Sequence, residues 1–238
     1  MGTYVIGDIH GCPDELTRLV DKLPLNSSDR LIFLGDYVDR GPDSKGVISY
    51  LIELQRTCPA TVVFLKGNHE DMFLAYMGFP GKYGDMFLYN GGSATLMSYG
   101  ATPHNQTSAD ILLVIPPPHI KFLKDLEITY CAGDFLCVHA GVNPVKPLEM
   151  QDEEEMLWIR DEFILKPHDL PYTVVFGHTP QEQVLFHLPY KVGLDTGLVY
   201  GNRLSCLELG EKTLFQIARG GKNVVRRSVN AEWSKSLP

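Results

Sequence analysis

Apolar and polar positions along this chain follow two rhythms. Short apolar runs at 3–7, 31–34 and 61–65 read as strands, and each is followed by a stretch with helical spacing. In the first stretch, Pro13 to Leu23, the residues Leu16, Leu19, Val20 and Leu23 share one face, and Pro13 suits a first helical turn. In the second, near 43–56, Val47, Ile48, Leu51, Ile52 and Leu54 form a helical stripe. A third helix starts around His69. This alternation predicts parallel strands joined by right-handed crossovers.

The second half is richer in strands, with candidates at 126–131, 134–138, 173–176, 183–187, 190–194, 204–209 and 213–217. Tyr130-Cys131-Ala132-Gly133-Asp134-Phe135 reads as a hairpin turn between two of them. A second sheet laid on the first gives an α/β sandwich flanked by helices. Residues 78–118, broken by glycines and by Pro116-Pro117-Pro118, read as loops and short helices covering one face of the site. Phe79, Tyr83, Phe87 and Tyr89 in that stretch either form an aromatic lip or, the commoner fate, fill the core under a loop.

With 238 residues, 44% of them apolar, the chain can bury a sizeable core, and with no linker or repeat it reads as one domain, 1–238. The formal charge of −8 argues against a nucleic-acid partner. Five cysteines without a C-x-x-C pair argue against a disulfide framework and for a reducing, cytoplasmic setting. No basic, apolar leader opens the sequence, Ile6 breaks a myristoylation pattern, and no run is long enough to span a membrane.

The predicted strands end in chemistry. Gly7-Asp8-Ile9-His10-Gly11, Gly35-Asp36-Tyr37-Val38-Asp39-Arg40-Gly41 and Gly67-Asn68-His69-Glu70 each follow a strand, and so do His139 and His178. If the strand continues outward, Asp8 and His10 point the same way and suit one ion. Asp36 has two oxygens with which to bridge two ions, and Asn68 adds an amide oxygen. Mixed Asp, Asn and His donors without thiolates favour manganese, iron or zinc in a site free of sulfur ligands. Two such ions polarise a phosphoryl group and lower the pKa of a water. Arg40 has the fork for two phosphate oxygens, with Arg160 as a second candidate. His69 suits a general acid, oriented by Asp39, whose charge would raise its pKa. Asp195-Thr196-Gly197 either steadies His178 or is a tight turn, and Asp152 reads as a helix cap. His104, His119, His168 and His187 read as surface loop residues.

The five ordered motifs, GDIHG, GDYVDRG, GNHE, His139-Ala140-Gly141 and Gly177-His178-Thr179, resemble the phosphoprotein phosphatase family of metallophosphoesterases over residues 3–209. The resemblance implies a four-layer fold, a central β-sandwich of mixed sheets flanked by helices, with two divalent ions, manganese foremost. It implies Asp8, His10 and Asp36 on one ion and Asp36, Asn68, His139 and His178 on the other. It further implies Arg40, Asn68 and Arg160 on phosphate and His69 paired with Asp39. The implied activity is serine/threonine protein phosphatase, with phosphotyrosine and aryl phosphates as further substrates. The implied partner is a phosphoprotein or phosphopeptide met by a monomer, with neither nucleic acid nor membrane involved. The alternative is symmetrical hydrolysis of diadenosine tetraphosphate. The bacterial enzymes of that kind resemble this chain but carry Ala in place of Asp39 and Asp in place of Glu70. On both points this chain sides with the protein phosphatases.

Overall fold

The computed structural model describes residues 1–103 and 107–234 of the 238. The chain opens with β1 (Thr3–Ile6), α1 (Pro13–Val20), β2 (Arg30–Phe33), α2 (Ser44–Thr57), β3 (Thr61–Phe64) and α3 (Asn68–Tyr76). As the pattern predicts, β1, β2 and β3 are parallel neighbours, with Val5 beside Ile32 and Ile32 beside Val63. The irregular stretch yields two single turns, Gly84–Met86 and Leu88–Gly92, then α4 (Ser93–Ser98), α5 (Ser108–Val114) and α6 (Pro117–Lys124).

A hairpin follows, β4 (Thr129–Ala132) and β5 (Phe135–Val138), turning at Gly133 with φ +63°. Then come α7 (Glu153–Trp158), α8 (Asp161–Ile164), β6 (Thr173–Phe176), β7 (Leu185–His187) and β8 (Lys191–Gly193). The chain returns to the first sheet through β9 (Arg203–Glu208), β10 (Thr213–Ala218) and β11 (Val224–Ser228), and α9 (Asn230–Ser234) ends the described part. The exposed strand β11, with polar Arg226, Arg227 and Ser228, carries too little apolar pattern to be read from sequence.

The sheets are ordered β11-β10-β9-β1-β2-β3 and β4-β5-β6-β8-β7. Alternate residues of each inner strand face opposite layers. Val5, Ile32 and Val63 meet Cys137, Val175 and Val192 between the sheets. Ile6, Phe33 and Phe64 turn outward onto α1, α2 and α6, while Val138, Val174 and Phe176 pack under Phe163 of α8. Strands covered on both faces must be apolar throughout, which explains the continuous runs. The result is the expected four layers.

Two sequence readings need correction. His119 and His168 are buried, not surface residues. His119 bonds the Tyr99 hydroxyl at 2.8 Å, and His168 bonds the Tyr190 carbonyl at 2.8 Å. A proline or acidic neighbour in sequence does not reveal a partner twenty residues away. His104 lies outside the described residues.

Candidate active site

The loops that follow β1, β2, β3, β5 and β6 converge at one edge of the sandwich. The first rests on the second, since the N–H groups of Ile9 and His10 donate to the Asp36 carbonyl at 3.1 and 2.8 Å. The strand does not continue through Asp8 and His10. It ends at Ile6, and His10 sits in left-handed backbone at φ +46°. Asp36, Asp39, Arg40 and His178 also have positive φ, at +54°, +73°, +68° and +64°. Such backbone costs on the order of 1–3 kcal/mol per residue and persists only where the surroundings impose it. Glycine makes room between the loops. A Cβ on Gly35 would strike the backbone nitrogen of Gly67, and one on Gly177 would strike the Asp8 carboxylate.

Asp36 stands at the centre. Its Oδ2 lies 3.4 Å from His10 Nε2 and 4.0 Å from His69 Nε2, and its Oδ1 lies 3.4 Å from His139 Nε2. The two oxygens thus face two clusters, His10–Asp36–His69 and Asp36–His139–His178, with donor atoms within 4.8 Å of one another in each. Asn68 Oδ1 joins the second cluster, 3.0 Å from both His139 Nε2 and His178 Nδ1. Asp8 stands outside both groups, accepting the His178 N–H at 3.1 and 3.0 Å. All these side chains are buried.

The donor set fits divalent cations. Val38 and Leu34 carbonyls each lie 2.8 Å from Nδ1 of His10 and His139, so each Nδ1–H donates to a carbonyl and each Nε2 turns a lone pair into the site. Burial lowers the His10 pKa to about 3 and drives those of His139 and His178 down, leaving neutral ligands. Burial, with Asp195 and Asp36 beside it, pushes the Asp8 carboxyl well up, a crowding of carboxylates that a cation relieves. The Arg40 guanidinium lies beside this cluster, its Nη1 2.7 Å from His10 Nε2.

His69 is set apart from the other imidazoles. Burial pulls its pKa down, but Asp36 and Asp39 overcome that and hold it above the ordinary value. Its Nδ1–H donates to Asp39 Oδ2 at 2.6 Å. Asp39 is itself fixed on its other side by Thr95, whose hydroxyl donates to Oδ1 at 2.6 Å and accepts the Asp39 N–H at 2.8 Å. The Ser44 hydroxyl accepts the same N–H at 3.0 Å. Arg160 is exposed at the N-terminus of α8, where its carbonyl accepts the N–H groups of Phe163 and Ile164 at 2.9 Å; its guanidinium makes no hydrogen bond or ion pair among the described residues, yet its charge bears on His139 and His178.

Several contributors escape a reading of motifs. Glu70 is fully buried and gathers four N–H groups, those of Asp36 (2.9 Å), Tyr37 (2.7 Å), Val38 (3.2 Å) and Gly67 (2.9 Å). It shapes the loop that carries Asp36. Thr95 comes from α4, more than fifty residues from Asp39, with no motif to mark it. Trp158 stands edge-on to His178 at 6.2 Å, and Tyr83 stands edge-on to Trp158 at 5.3 Å. Of the other aromatics singled out, Phe87 is buried against Phe73 at 4.8 Å, Phe79 packs on the core, and Tyr89 is 90% exposed. Asp195 forms a tight turn by accepting the Gly197 N–H at 2.9 Å, and no hydrogen bond joins it to His178 among the described residues. Asp152 caps α7 through the Glu154 N–H at 2.8 Å, as expected.

Two buried donor clusters that share Asp36, at the strand ends of a two-sheet sandwich, define a metallophosphoesterase. Residues 1–204 match the calcineurin-like phosphoesterase family, and the chain belongs to it. It is 28% identical over 235 residues to the asymmetrical bis(5′-nucleosyl)-tetraphosphatase PrpE of Bacillus anthracis, covering 87% of this chain and 90% of that one. It is 29% identical over 208 residues to serine/threonine-protein phosphatase 1 of Salmonella typhimurium, covering 85% and 89%. Among solved structures it is similar to a chain assigned as a diadenosine tetraphosphatase, with TM-score 0.68, 27% identity, and 91% and 93% of the two chains covered. No helix among the described residues is long and apolar enough to cross a membrane.

Proposed function

We propose that this chain is a metal-dependent phosphomonoesterase that removes phosphate from phosphoserine and phosphothreonine in proteins, acting as a monomer with manganese as its preferred ion. The observation that carries this reading is the buried Asp39–His69 pair at 2.6 Å. A serine or threonine oxygen leaves as a strongly basic alkoxide and needs a proton as the bond breaks. His69 offers one at Nε2, with Nδ1 held by Asp39. Arg40 and Arg160 grip the phosphate oxygens in forked geometry, and the Asn68 amide adds a further donor.

Asp8, His10, Asp36, Asn68, His139 and His178 would hold two divalent ions, which polarise the phosphoryl group and make water a nucleophile at neutral pH. The thiol of Cys12, two residues past His10, does not compete for that role. Its Sγ donates to the His10 carbonyl at 3.3 Å, and burial pushes its pKa to about 11.

A second reading is favoured by the Bacillus anthracis relative, which is named as an asymmetrical tetraphosphatase. That name points to asymmetric rather than symmetric cleavage of dinucleoside tetraphosphates. An anhydride's departing nucleotide is a weak base and asks less of His69, so the Asp39–His69 pair supports the first reading. Parallel assay of manganese-loaded protein on a phosphoserine peptide, a phosphotyrosine peptide and diadenosine tetraphosphate tests both. Turnover of the dinucleotide with inert phosphopeptides would overturn the first.

A further inference from the structure

Tyr200 is an exposed ring that the fold takes trouble to place. It ends a single 3₁₀ turn, Leu198–Tyr200, between Gly197 at φ +67° and Gly201 at φ +95°. The turn is pinned at both ends. Asp195 accepts the Gly197 N–H at 2.9 Å, and the Gly197 carbonyl accepts the N–H groups of Tyr200 at 3.0 Å and Asn202 at 3.1 Å. Leu198 is anchored in the core at 2% exposure, whereas Tyr200 is 62% exposed. The ring lies against the site, its centre 5.6 Å from Arg40 Cζ. Another turn meets Arg40 as well. Gly91 of Leu88–Gly92 accepts the Arg40 N–H at 3.1 Å, and that turn carries the exposed Tyr89.

A ring stacked beside a guanidinium that grips phosphate leaves its outer face free for a second planar group. A base stands one ribose away from its phosphate. That reach suits the separation of Tyr200 from Arg40 better than a ring esterified directly to the bound phosphate. We propose that Tyr200 is a specificity-determining residue of this site, stacking on the base of a nucleoside phosphate whose phosphate is held by Arg40. The assignment rests on the phosphate-binding role proposed for Arg40 and deepens the second, dinucleotide reading.

The test uses AMP, in the form of its hydrolysis-resistant phosphonate analogue, and inorganic phosphate as probes, titrated calorimetrically into manganese-loaded wild type, Tyr200→Ala and Tyr200→Phe. Base–aromatic stacking should favour AMP over phosphate by about tenfold or more in the wild type. That ratio should collapse in Tyr200→Ala and survive in Tyr200→Phe, which keeps the ring. With diadenosine tetraphosphate as substrate, Tyr200→Ala should raise KM by a similar factor and move kcat little. Equal wild-type affinity for the two probes would overturn the inference. So would a loss in Tyr200→Ala that is the same for both, because Tyr200 would then only prop Arg40. A ring-dependent AMP preference without dinucleotide turnover would end the dinucleotide reading and leave the stacking role standing.

Discussion

Asp39 Oδ2 lies 2.6 Å from His69 Nδ1, and neither residue is more than 1% exposed. A dyad closed to solvent keeps its geometry, so removing His69 should show in the leaving group. His69→Asn should cost about 10²–10⁴-fold on a phosphoserine peptide, the usual range for general acid catalysis. It should cost far less on p-nitrophenyl phosphate, whose leaving group departs without a proton. Metal content should stay near normal. Equal losses on both substrates would remove the acid assignment.

Thr95 supports the dyad from behind. Thr95→Val keeps the shape but takes away the 2.6 Å bond to Asp39 Oδ1. A hydrogen bond to a charged group contributes on the order of 1.5–3 kcal/mol, so the turnover of phosphoserine peptide should fall by about tenfold or more. The kcat should fall, with KM for the small aryl phosphate nearly unchanged. A loss confined to KM would mean that Thr95 acts on binding instead.

Asp36 presents one oxygen to each cluster, with His10 and His139 both 3.4 Å away. Asp36→Asn leaves one acceptor edge and turns the other into an N–H₂ group. It should lower bound metal more than any other single carboxylate change. Metal analysis by mass spectrometry reads the outcome, and two ions bound at normal affinity would show that Asp36 is not the bridge.

Glu70 collects the N–H groups of Asp36, Tyr37, Val38 and Gly67. Glu70→Gln aims an N–H₂ at two of these donors. Each buried group left unpaired costs roughly 1–3 kcal/mol, so the melting temperature should fall by several degrees. Glu70→Asp falls short of the same donors and should lose stability too. Unchanged melting of both variants would contradict the role given to Glu70.

The imidazoles in the cluster prefer transition metals to a strictly oxygen-seeking ion. Exhaustive chelation should abolish activity, and Mn²⁺ should restore it better than Mg²⁺. Full recovery with Mg²⁺ alone would count against the ligand set.

Much of this molecule is written locally. Val5, Ile32 and Val63 belong to runs whose continuous apolarity reports burial on both faces, and the loops after them carry Asp8, His10, Asp36, Asn68 and His69 in short spans. Strand rhythm and loop chemistry are properties of neighbours in the chain, so the parallel first half, the hairpin at Gly133 and the candidate ligands were legible. The edge strand β11 and the buried states of His119 and His168 were not. Burial of a polar side chain depends on a partner, and theirs are Tyr99 and the Tyr190 carbonyl, brought by other segments.

The sequence by itself determined which residue types stand at the strand ends, and hence that metal-assisted phosphoester chemistry was the reading to make. Only the tertiary structure decided how they act together. It turned the two oxygens of Asp36 toward different clusters and put Thr95 behind Asp39 and Tyr200 beside Arg40. Those relations join positions from 26 to 160 residues apart, such as Asp36 with His10 and His139 or Arg40 with Tyr200. They depend on how two sheets stack and where loops land, which follows from packing the whole core and from no single stretch of chain.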